Sequence, residues 1–347
     1  NQRENNEDSF QIAEIVPVPG QAPITILAVA DGMGGHLYGE VVSKESLSKV
    51  SATLYQELTV SPSLNRVEPP QPPAPETLCK AIMEAMKQGN SYCLLYTSRS
   101  YVRRMVETNK WGRAGSTIVV AAVCEDMAVV ANLGDSPLFH YQTKRKKLTK
   151  VTQDHTVAGV LLRAGLISPE MARYHEGRSR LEFYMGCPNL PEEEPIYQVP
   201  IASGDILLLC SDGVNGSLSE EQMANIFAKA GGDLKNLADR LLETALDAGE
   251  TDNQTLILWQ HPKAKRRKGK KVGLTIIQSQ ETTRQADEQT AAAIAELRGD
   301  SAINAGASAA TAQTIKQTNL QEVTDLGNQT EPPPEEDPAK TTPKSST

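Results

Sequence analysis

Acidic residues stand at the ends of several apolar stretches of this 347-residue chain. Asp31 comes directly after ITILAVA, Asp135 follows MAVVANLG, and Asp212 follows ILLLCS. Asp252 stands just before the TLILW stretch, and Asp8 lies in an Asn-Glu-Asp cluster near the start. Ionised carboxylates beside an apolar core are costly unless a partner neutralises them, and oxygen ligands suit hard cations such as Mg²⁺ and Mn²⁺. The pattern therefore indicates a divalent-metal site.

The same residues have a second interpretation, because Asp beside Gly is also a common turn signal. Gly32, Gly134 and Gly213 each adjoin one of these aspartates. Glycine there would also let a backbone carbonyl reach a bound cation, since no side chain blocks the approach. One Asp-Gly pair alone is better explained as a turn, whereas four acidic residues at four strand ends favour the metal site.

The apolar stretches that must position these aspartates are predicted to be buried strands, because they are short and bounded by turn residues. The predicted strands are residues 24–30, 117–123, 127–133, 206–210 and 255–259. Apolar residues at helical spacing predict helices over residues 39–57, 76–96, 219–229 and 233–248. Strands and helices do not alternate strictly, so we predict antiparallel sheets with helices packed outside rather than a doubly wound parallel sheet.

Composition excludes several classes of protein. The net charge of −8 argues against a nucleic-acid partner and a cationic membrane binder, and no apolar run is long enough for a transmembrane segment. The five cysteines include no C-x-x-C pair, so neither a zinc site nor a disulfide framework is predicted. Reduced thiols are typical of a cytoplasmic protein.

The composition changes near residue 262, and we place a folded domain over residues 1–262. A basic run follows at residues 263–271, and the rest of the chain has few large apolar side chains. Such a segment cannot offset the entropy lost on ordering, so residues 263–347 are predicted to be a basic junction and a largely disordered tail. The basic run could bind nucleic acid or a membrane surface, but a solvated boundary is the better interpretation.

A series of short motifs resembles those of the protein phosphatase 2C (PPM-type) family, in the family's order. Arg3-Glu-Asn-Asn-Glu-Asp8 resembles its R-x-x-N-[EQ]-D opening, and Ala30-Asp-Gly-Met-Gly-Gly-His36 resembles its D-G-M/H-G-G element. The other matches are Gly115-Ser-Thr117, Asn132-Leu-Gly-Asp-Ser136, Leu148-Thr-Lys-Val-Thr-Gln-Asp-His155, Cys210-Ser-Asp-Gly213 and Asp252-Asn-Gln-Thr255. One motif alone is a weak signal, but together they extend to about residue 260, and the D-G-M-G-G form is typical of bacterial members.

The resemblance implies an α+β fold, a four-layer α-β-β-α sandwich of two antiparallel β-sheets flanked by helices, with metals at one end. It implies that Asp31 bridges two Mn²⁺ or Mg²⁺ ions and that Gly32 offers its carbonyl oxygen to one of them. Asp212 and Asp252 would complete the ligands of the first ion.

The resemblance also assigns the remaining acidic positions. Asp8, together with Glu7 and partly through water, would hold the second ion. Asp135 with Asp212 would match the family's position for a possible third ion. Arg3 would bind the substrate phosphate, for which a fixed guanidinium fork is well suited.

The implied reaction is hydrolysis of phosphoserine and phosphothreonine by a water shared by two cations. Met33 stands where some family members have a histidine proposed to protonate the leaving group, and a metal-bound water is expected to donate instead, in preference to His36. Pro137 replaces an arginine that is common after G-D-S, which leaves the ligands intact. Residues 155–185 correspond to the family's mobile flap beside the active site.

Three functions compete for this pattern: an active phosphatase opposing a protein kinase, a pseudophosphatase acting as a regulatory binding module, and a two-metal nuclease. Every core acidic position is occupied, which favours the enzyme over the pseudophosphatase. A nuclease would need a basic groove, and the acidic chain argues against one. The expected partners are phosphorylated proteins, including a serine/threonine kinase or its substrates, and the chain is expected to be a monomer.

Overall fold

Two antiparallel sheets form the centre of the computed structural model, which describes residues 5–33, 38–60, 72–98, 114–262 and 273–278. The strands of the first sheet are β1 (Asp8–Ile15), β2 (Ile24–Met33), β3 (Gly115–Ser116), β4 (Ile118–Cys124), β5 (Met127–Leu133) and β8 (Ile196–Pro200). Its order is β1-β2-β4-β5-β8, and the short β3 pairs with β2.

The second sheet is built from the later part of the chain. Its strands are β6 (Leu138–Gln142), β7 (Lys147–Lys150), β9 (Ile206–Cys210), β10 (Thr255–Gln260) and β11 (Gly273–Gln278). They lie in the order β11-β10-β9-β6-β7, and every neighbouring pair is antiparallel.

The apolar side chains of β4 explain why this strand is buried on both faces. Val119, Ala121 and Val123 contact the core between the two sheets. Ile118 and Val120 point the other way, into the core beneath the helices. Because successive side chains of a strand alternate between faces, a continuous apolar run such as IVVAAVC suits a strand that is covered on both sides.

Helices form the outer layers and complete an α-β-β-α sandwich. Helices α1 (Tyr38–Val60) and α2 (Pro75–Ser98) cover the first sheet, while α6 (Glu220–Lys229) and α7 (Leu234–Asp247) cover the second. The shorter helices within the described residues are α3 (Val157–Arg163), α4 (Pro169–Tyr174) and α5 (Asp212–Asn215). In the part of the chain that the structure describes, no helix has the length and apolarity to cross a membrane.

The predicted elements are confirmed, and the strands that sequence patterns missed are chiefly those with polar or partly exposed residues. All five predicted strands and all four predicted helices are present, with ends shifted by three residues or fewer. Of the described strands before residue 262, those not predicted are β1, β3, β6, β7 and β8. Strands β1, β7 and β8 lie at sheet edges with side chains that are only partly buried, β3 has two residues, and β6 is buried but includes the polar residues His140 and Gln142. Such strands lack the continuous apolar run of an interior strand.

Strand β11 lies beyond the domain end that the sequence predicted at residue 262. Residues 273–278 were assigned to the tail, whereas the structure pairs them with β10, from Gly273 opposite Gln260 to Gln278 opposite Thr255. The second sheet therefore includes a strand from the segment that the sequence assigned to the basic junction and tail.

Candidate metal centre

Asp8 and Asp31 lie side by side where β1 and β2 meet one end of the sandwich. The two residues are directly opposite each other in the antiparallel register. Oδ2 of Asp8 accepts a hydrogen bond of 2.7 Å from the Ser211 hydroxyl at the end of β9. Ser211 Oγ also accepts the Thr255 N–H at 3.1 Å. This one serine thus ties the first sheet to two strands of the second.

Asp212 and Asp252 are carried by the segments that follow β9 and precede β10. Gly213 brings these segments together, because a Cβ added there would lie 2.0 Å from the carbonyl oxygen of Asn253. Asn253 is itself buried, and its Oδ1 accepts the Glu7 N–H at 3.0 Å. The close backbone approach therefore requires glycine and holds the two aspartates at the same end of the second sheet as Asp8.

Asp135 follows β5 in a tight turn. Gly134 has a φ of 100°, in the left-handed region, and a Cβ on it would lie 2.7 Å from the side chain of Thr117. The Thr117 hydroxyl is 2.6 Å from that of Ser136 and accepts the Asp31 N–H at 3.0 Å. Thr117 therefore connects the turn of Asp135 to the strand of Asp31.

The electrostatics show that these five aspartates form one group. Burial raises the pKa of Asp31 well above its ordinary value, and the charges of four other carboxylates raise it further, namely Asp8, Asp212, Asp135 and Asp252. Burial also raises the pKa of Asp8 to about 7, partly opposed by hydrogen bonding to Ser211. The structure thus brings together five of the acidic residues that the sequence singled out.

The pKa of Asp135 is likewise raised well above its usual range. Burial is the main cause, and the charges of Asp212 and Asp154 add to it. Lys150 opposes the shift, and its Nζ lies 2.7 Å from the Asp154 carboxylate. Asp135 is therefore repelled by neighbouring carboxylates, as Asp31 is, but the ammonium group of Lys150 offsets part of that repulsion.

Gly32 and Glu7 occupy the junction between the carboxylates and helix α1. The Gly32 N–H donates to the Glu7 carbonyl at 3.1 Å, and a Cβ on Gly32 would lie 2.0 Å from the Gly39 carbonyl oxygen. The Glu7 side chain is buried against Gly39, where a Cβ would lie 2.7 Å from Glu7 Cδ. The Glu7 carboxylate therefore lies against the first turn of α1.

Two residues named in the sequence analysis lie outside the described part of the chain, and two others lie at strand ends near the site. Arg3 and His36 are not among the described residues. Met33 ends β2 opposite Gly115, and its thioether carries no proton to donate. Pro137 precedes β6, and its carbonyl accepts the Cys210 N–H at 3.2 Å.

The donor chemistry of this site fits divalent cations of the Mg²⁺ and Mn²⁺ type. The group consists of carboxylate oxygens, which such ions prefer, and burial together with the charges of neighbouring aspartates raises the pKa of Asp8, Asp31 and Asp135. Among the described residues, no three His, Cys, Asp or Glu side chains form a ready-made ligand set.

Sequence reasoning missed the residues that hold the carboxylates in place. Thr117, Ser211 and Asn253 are all buried and link segments far apart in the chain. His155 is buried as well and bonds to Gly134. These four residues belong to motifs quoted in the sequence analysis. Their closeness in sequence to the aspartates was the one sign that they support the site.

Three comparisons with known proteins bear on the site. The family model described as protein phosphatase 2C matches residues 1–248. The serine/threonine phosphatase stp of Listeria welshimeri is 32% identical over 256 residues, covering 74% of this chain and 90% of the relative.

Solved structures agree with the sequence comparisons. The structure of the serine/threonine phosphatase Stp1 from Staphylococcus aureus has a TM-score of 0.59 and 25% identity, covering 76% of this chain and 91% of that one. The catalytic domain of the serine threonine protein phosphatase PstP, in complex with two manganese ions, has a TM-score of 0.51 and 25% identity, covering 74% and 91%.

Proposed function

This chain belongs to the protein phosphatase 2C family, and from that premise we propose that it hydrolyses phosphoserine and phosphothreonine in proteins with the help of divalent cations. The observation that carries the proposal is the group of five aspartates at one end of the sandwich, of which Asp8 is buried and the other four are partly buried. A pseudophosphatase is disfavoured, because the acidic positions that a cation would need are all filled.

Asp31 is proposed to hold both of two Mn²⁺ or Mg²⁺ ions, and Gly32 is proposed to offer its carbonyl oxygen to one of them. Asp212 and Asp252 would hold one ion, and Asp8 with Glu7 would hold the other. When bound, such ions activate water for in-line attack on phosphorus and offset charge on the phosphoryl oxygens.

A third cation is proposed to bind at Asp135 together with Asp212. The charge of Asp212 is the largest electrostatic influence of another residue on Asp135, which supports a shared ion there. Arg3 is proposed to orient the substrate phosphate through its guanidinium fork.

The residues around the carboxylates limit how they move. Ser211 donates to the Asp8 carboxylate from the end of β9. Thr117, between β3 and β4, accepts from the Asp31 N–H and so fixes the backbone at Asp31. Preorganised charges lower the reorganisation that the reaction requires. The Met33 side chain has no proton to donate, so its role beside the site is packing.

We also propose that the chain acts as a cytoplasmic monomer on phosphorylated proteins, including a serine/threonine kinase or its substrates. Its five cysteines are free thiols, which supports a reducing compartment. Labelling of free thiols in intact cells and light scattering of the purified chain would check compartment and monomer respectively.

The test is phosphate release from a phosphothreonine peptide in the presence of Mn²⁺. We expect EDTA to abolish release, and Asp31→Asn or Asp212→Asn to lower kcat/KM by on the order of 100-fold or more, since metal ligands matter at least as much as their supports. The matched control is Asp126→Asn, because the Asp126 side chain is 83% exposed and pairs with His261. Undiminished turnover in EDTA would overturn the proposal.

A further inference from the structure

Two segments are bonded together behind Asp135. The His155 N–H donates to the Gly134 carbonyl at 3.0 Å, and the Gly134 N–H donates back to Nδ1 of His155 at 3.2 Å. The Asn132 amide donates to the Gln153 carbonyl at 2.8 Å and to the Gly134 carbonyl at 3.3 Å. These hydrogen bonds hold the turn that follows β5 and carries Asp135.

The reciprocal pair between His155 and Gly134 requires an unprotonated Nδ1. Burial, with the charge of Arg163 adding to it, lowers the pKa of His155 to about 4. The ring is therefore neutral at neutral pH, and the proton is on Nε2 because Nδ1 accepts. The Nδ1 lone pair thus accepts the hydrogen bond of the Gly134 N–H, in a turn where the φ of Gly134 lies in the left-handed region.

His155 also anchors the base of the flap, residues 155–185. Its carbonyl accepts the Glu182 N–H at 2.8 Å, and its ring stands edge-on to that of Phe183 with centroids 5.8 Å apart. Next to it, Thr156 forms an isolated bridge with Leu181. His155 therefore contacts both the turn of Asp135 and the returning segment of the flap, at Glu182 and Phe183.

We infer that His155 is a positioning residue that holds the turn of Asp135 and links it to the base of the flap. The inference rests on the proposed function, because Asp135 is assigned there as a ligand of the third cation. The bonds fix the backbone directly before Asp135, so losing them lets the carboxylate leave its position beside Asp212. His155 is proposed to act through Gly134.

The test compares three variants of the full chain. His155→Asn keeps an acceptor at the same distance from Cβ as Nδ1, whereas His155→Gln moves it one bond further out and His155→Leu removes it. The matched control is His140→Leu, because His140 is equally buried and is bonded to Asp205 at 3.0 Å within the second sheet. Thermal melting shows which variants fold.

The readouts are Mn²⁺ titration calorimetry, hydrogen exchange at the Gly134 amide, and turnover at rising Mn²⁺. We expect His155→Leu and His155→Gln to weaken the weakest Mn²⁺ site roughly 10-fold, as for other groups that orient a ligand, and to speed Gly134 exchange. Excess Mn²⁺ should restore their turnover. His155→Asn should resemble the wild type, and His140→Leu should lower the Tm without changing Mn²⁺ binding.

The inference is overturned if His155→Gln binds Mn²⁺ and protects Gly134 as the wild type does, or if His155→Asn is as impaired as His155→Gln. Asp135→Asn separates this failure from failure of the proposed function. If Asp135→Asn loses no Mn²⁺ site, the third-cation assignment is wrong, and the inference is then decided by Gly134 exchange alone. If Asp135→Asn loses an Mn²⁺ site that the His155 variants keep, the inference about His155 is wrong and the proposed function is unaffected.

Discussion

Burial raises the pKa of Asp8 to about 7, so the folded, metal-free chain holds a proton there that the unfolded chain releases near its ordinary value of 3.8. Between these two values the folded state binds more protons than the unfolded state. The free energy of unfolding therefore falls as the pH rises from about 4 to about 7. A divalent cation has the opposite effect, because it binds the ionised carboxylate.

We predict that the Tm measured in EDTA falls between pH 5 and pH 8, and that Mn²⁺ raises the Tm more at pH 8 than at pH 5. Asp8→Asn should have a flatter profile in EDTA, because it carries no ionisable group at that position. A Tm in EDTA with the same pH slope in the wild type and in Asp8→Asn would contradict the assignment of this proton to Asp8.

Single residues also show what a sequence can tell about a site. Asp31, Asp135 and Asp212 could be picked out because a charged residue at the end of an apolar strand is unusual and has a chemical reason. Ser211 and Asn253 could not, since small polar residues are common in turns. Their importance depends on partners more than 200 positions away, with which they bond.

At the scale of the elements, the site depends on how closely the turn after β9 approaches the segment before β10. Gly213 lies in α5, and a Cβ there would lie 2.0 Å from the Asn253 carbonyl oxygen. A backbone atom cannot be displaced as a flexible side chain can. Any larger residue must therefore separate the two segments that carry Asp212 and Asp252.

We predict that Gly213→Ala destabilises the chain by roughly 1–3 kcal/mol through overpacking and weakens Mn²⁺ binding. The control is Gly231→Ala, where a Cβ meets nothing within 4 Å although φ is 62°. That variant should lose stability through backbone strain of about 1–2 kcal/mol and keep its Mn²⁺ affinity. Calorimetry and thermal melting measure both quantities; equal Mn²⁺ affinity in the two variants would refute the argument.

Most of the elements were predictable in proportion to their burial, with the buried strand β6 as the exception. Strands such as β4 and β5 carry apolar side chains on both faces, and their sequences show it without ambiguity. Strand β7, with the sequence KLTK, is exposed at every second residue and resembles a surface turn when considered alone. Such edge strands are specified by their neighbours in the sheet, which a local pattern does not contain.

At the scale of the whole molecule, β11 changes where the folded domain is proposed to end. This strand pairs with β10 along six residues and lies beside α7. A chain that ends at residue 262 would leave β10 as an open edge, with unpaired backbone donors and acceptors. We therefore propose that the domain extends to residue 278.

We predict that a chain ending at residue 278 is more stable than one ending at residue 262. The difference should be at least about 1 kcal/mol, which corresponds to roughly 2–4 °C in Tm for a domain of this size. The longer chain should melt like the full-length protein. Identical melting of the two shortened chains would show that β11 adds nothing and would restore the boundary at residue 262.

The bond from the Glu7 N–H to Asn253 joins positions 246 residues apart, and the one from Ser211 to Asp8 spans 203. Contacts of such separation form only after most of the chain is available. During synthesis on the ribosome, the first carboxylates emerge long before the residues that fix them. We therefore expect a growing chain to lack these two bonds, and phosphate removal to begin only after β10 has left the exit tunnel.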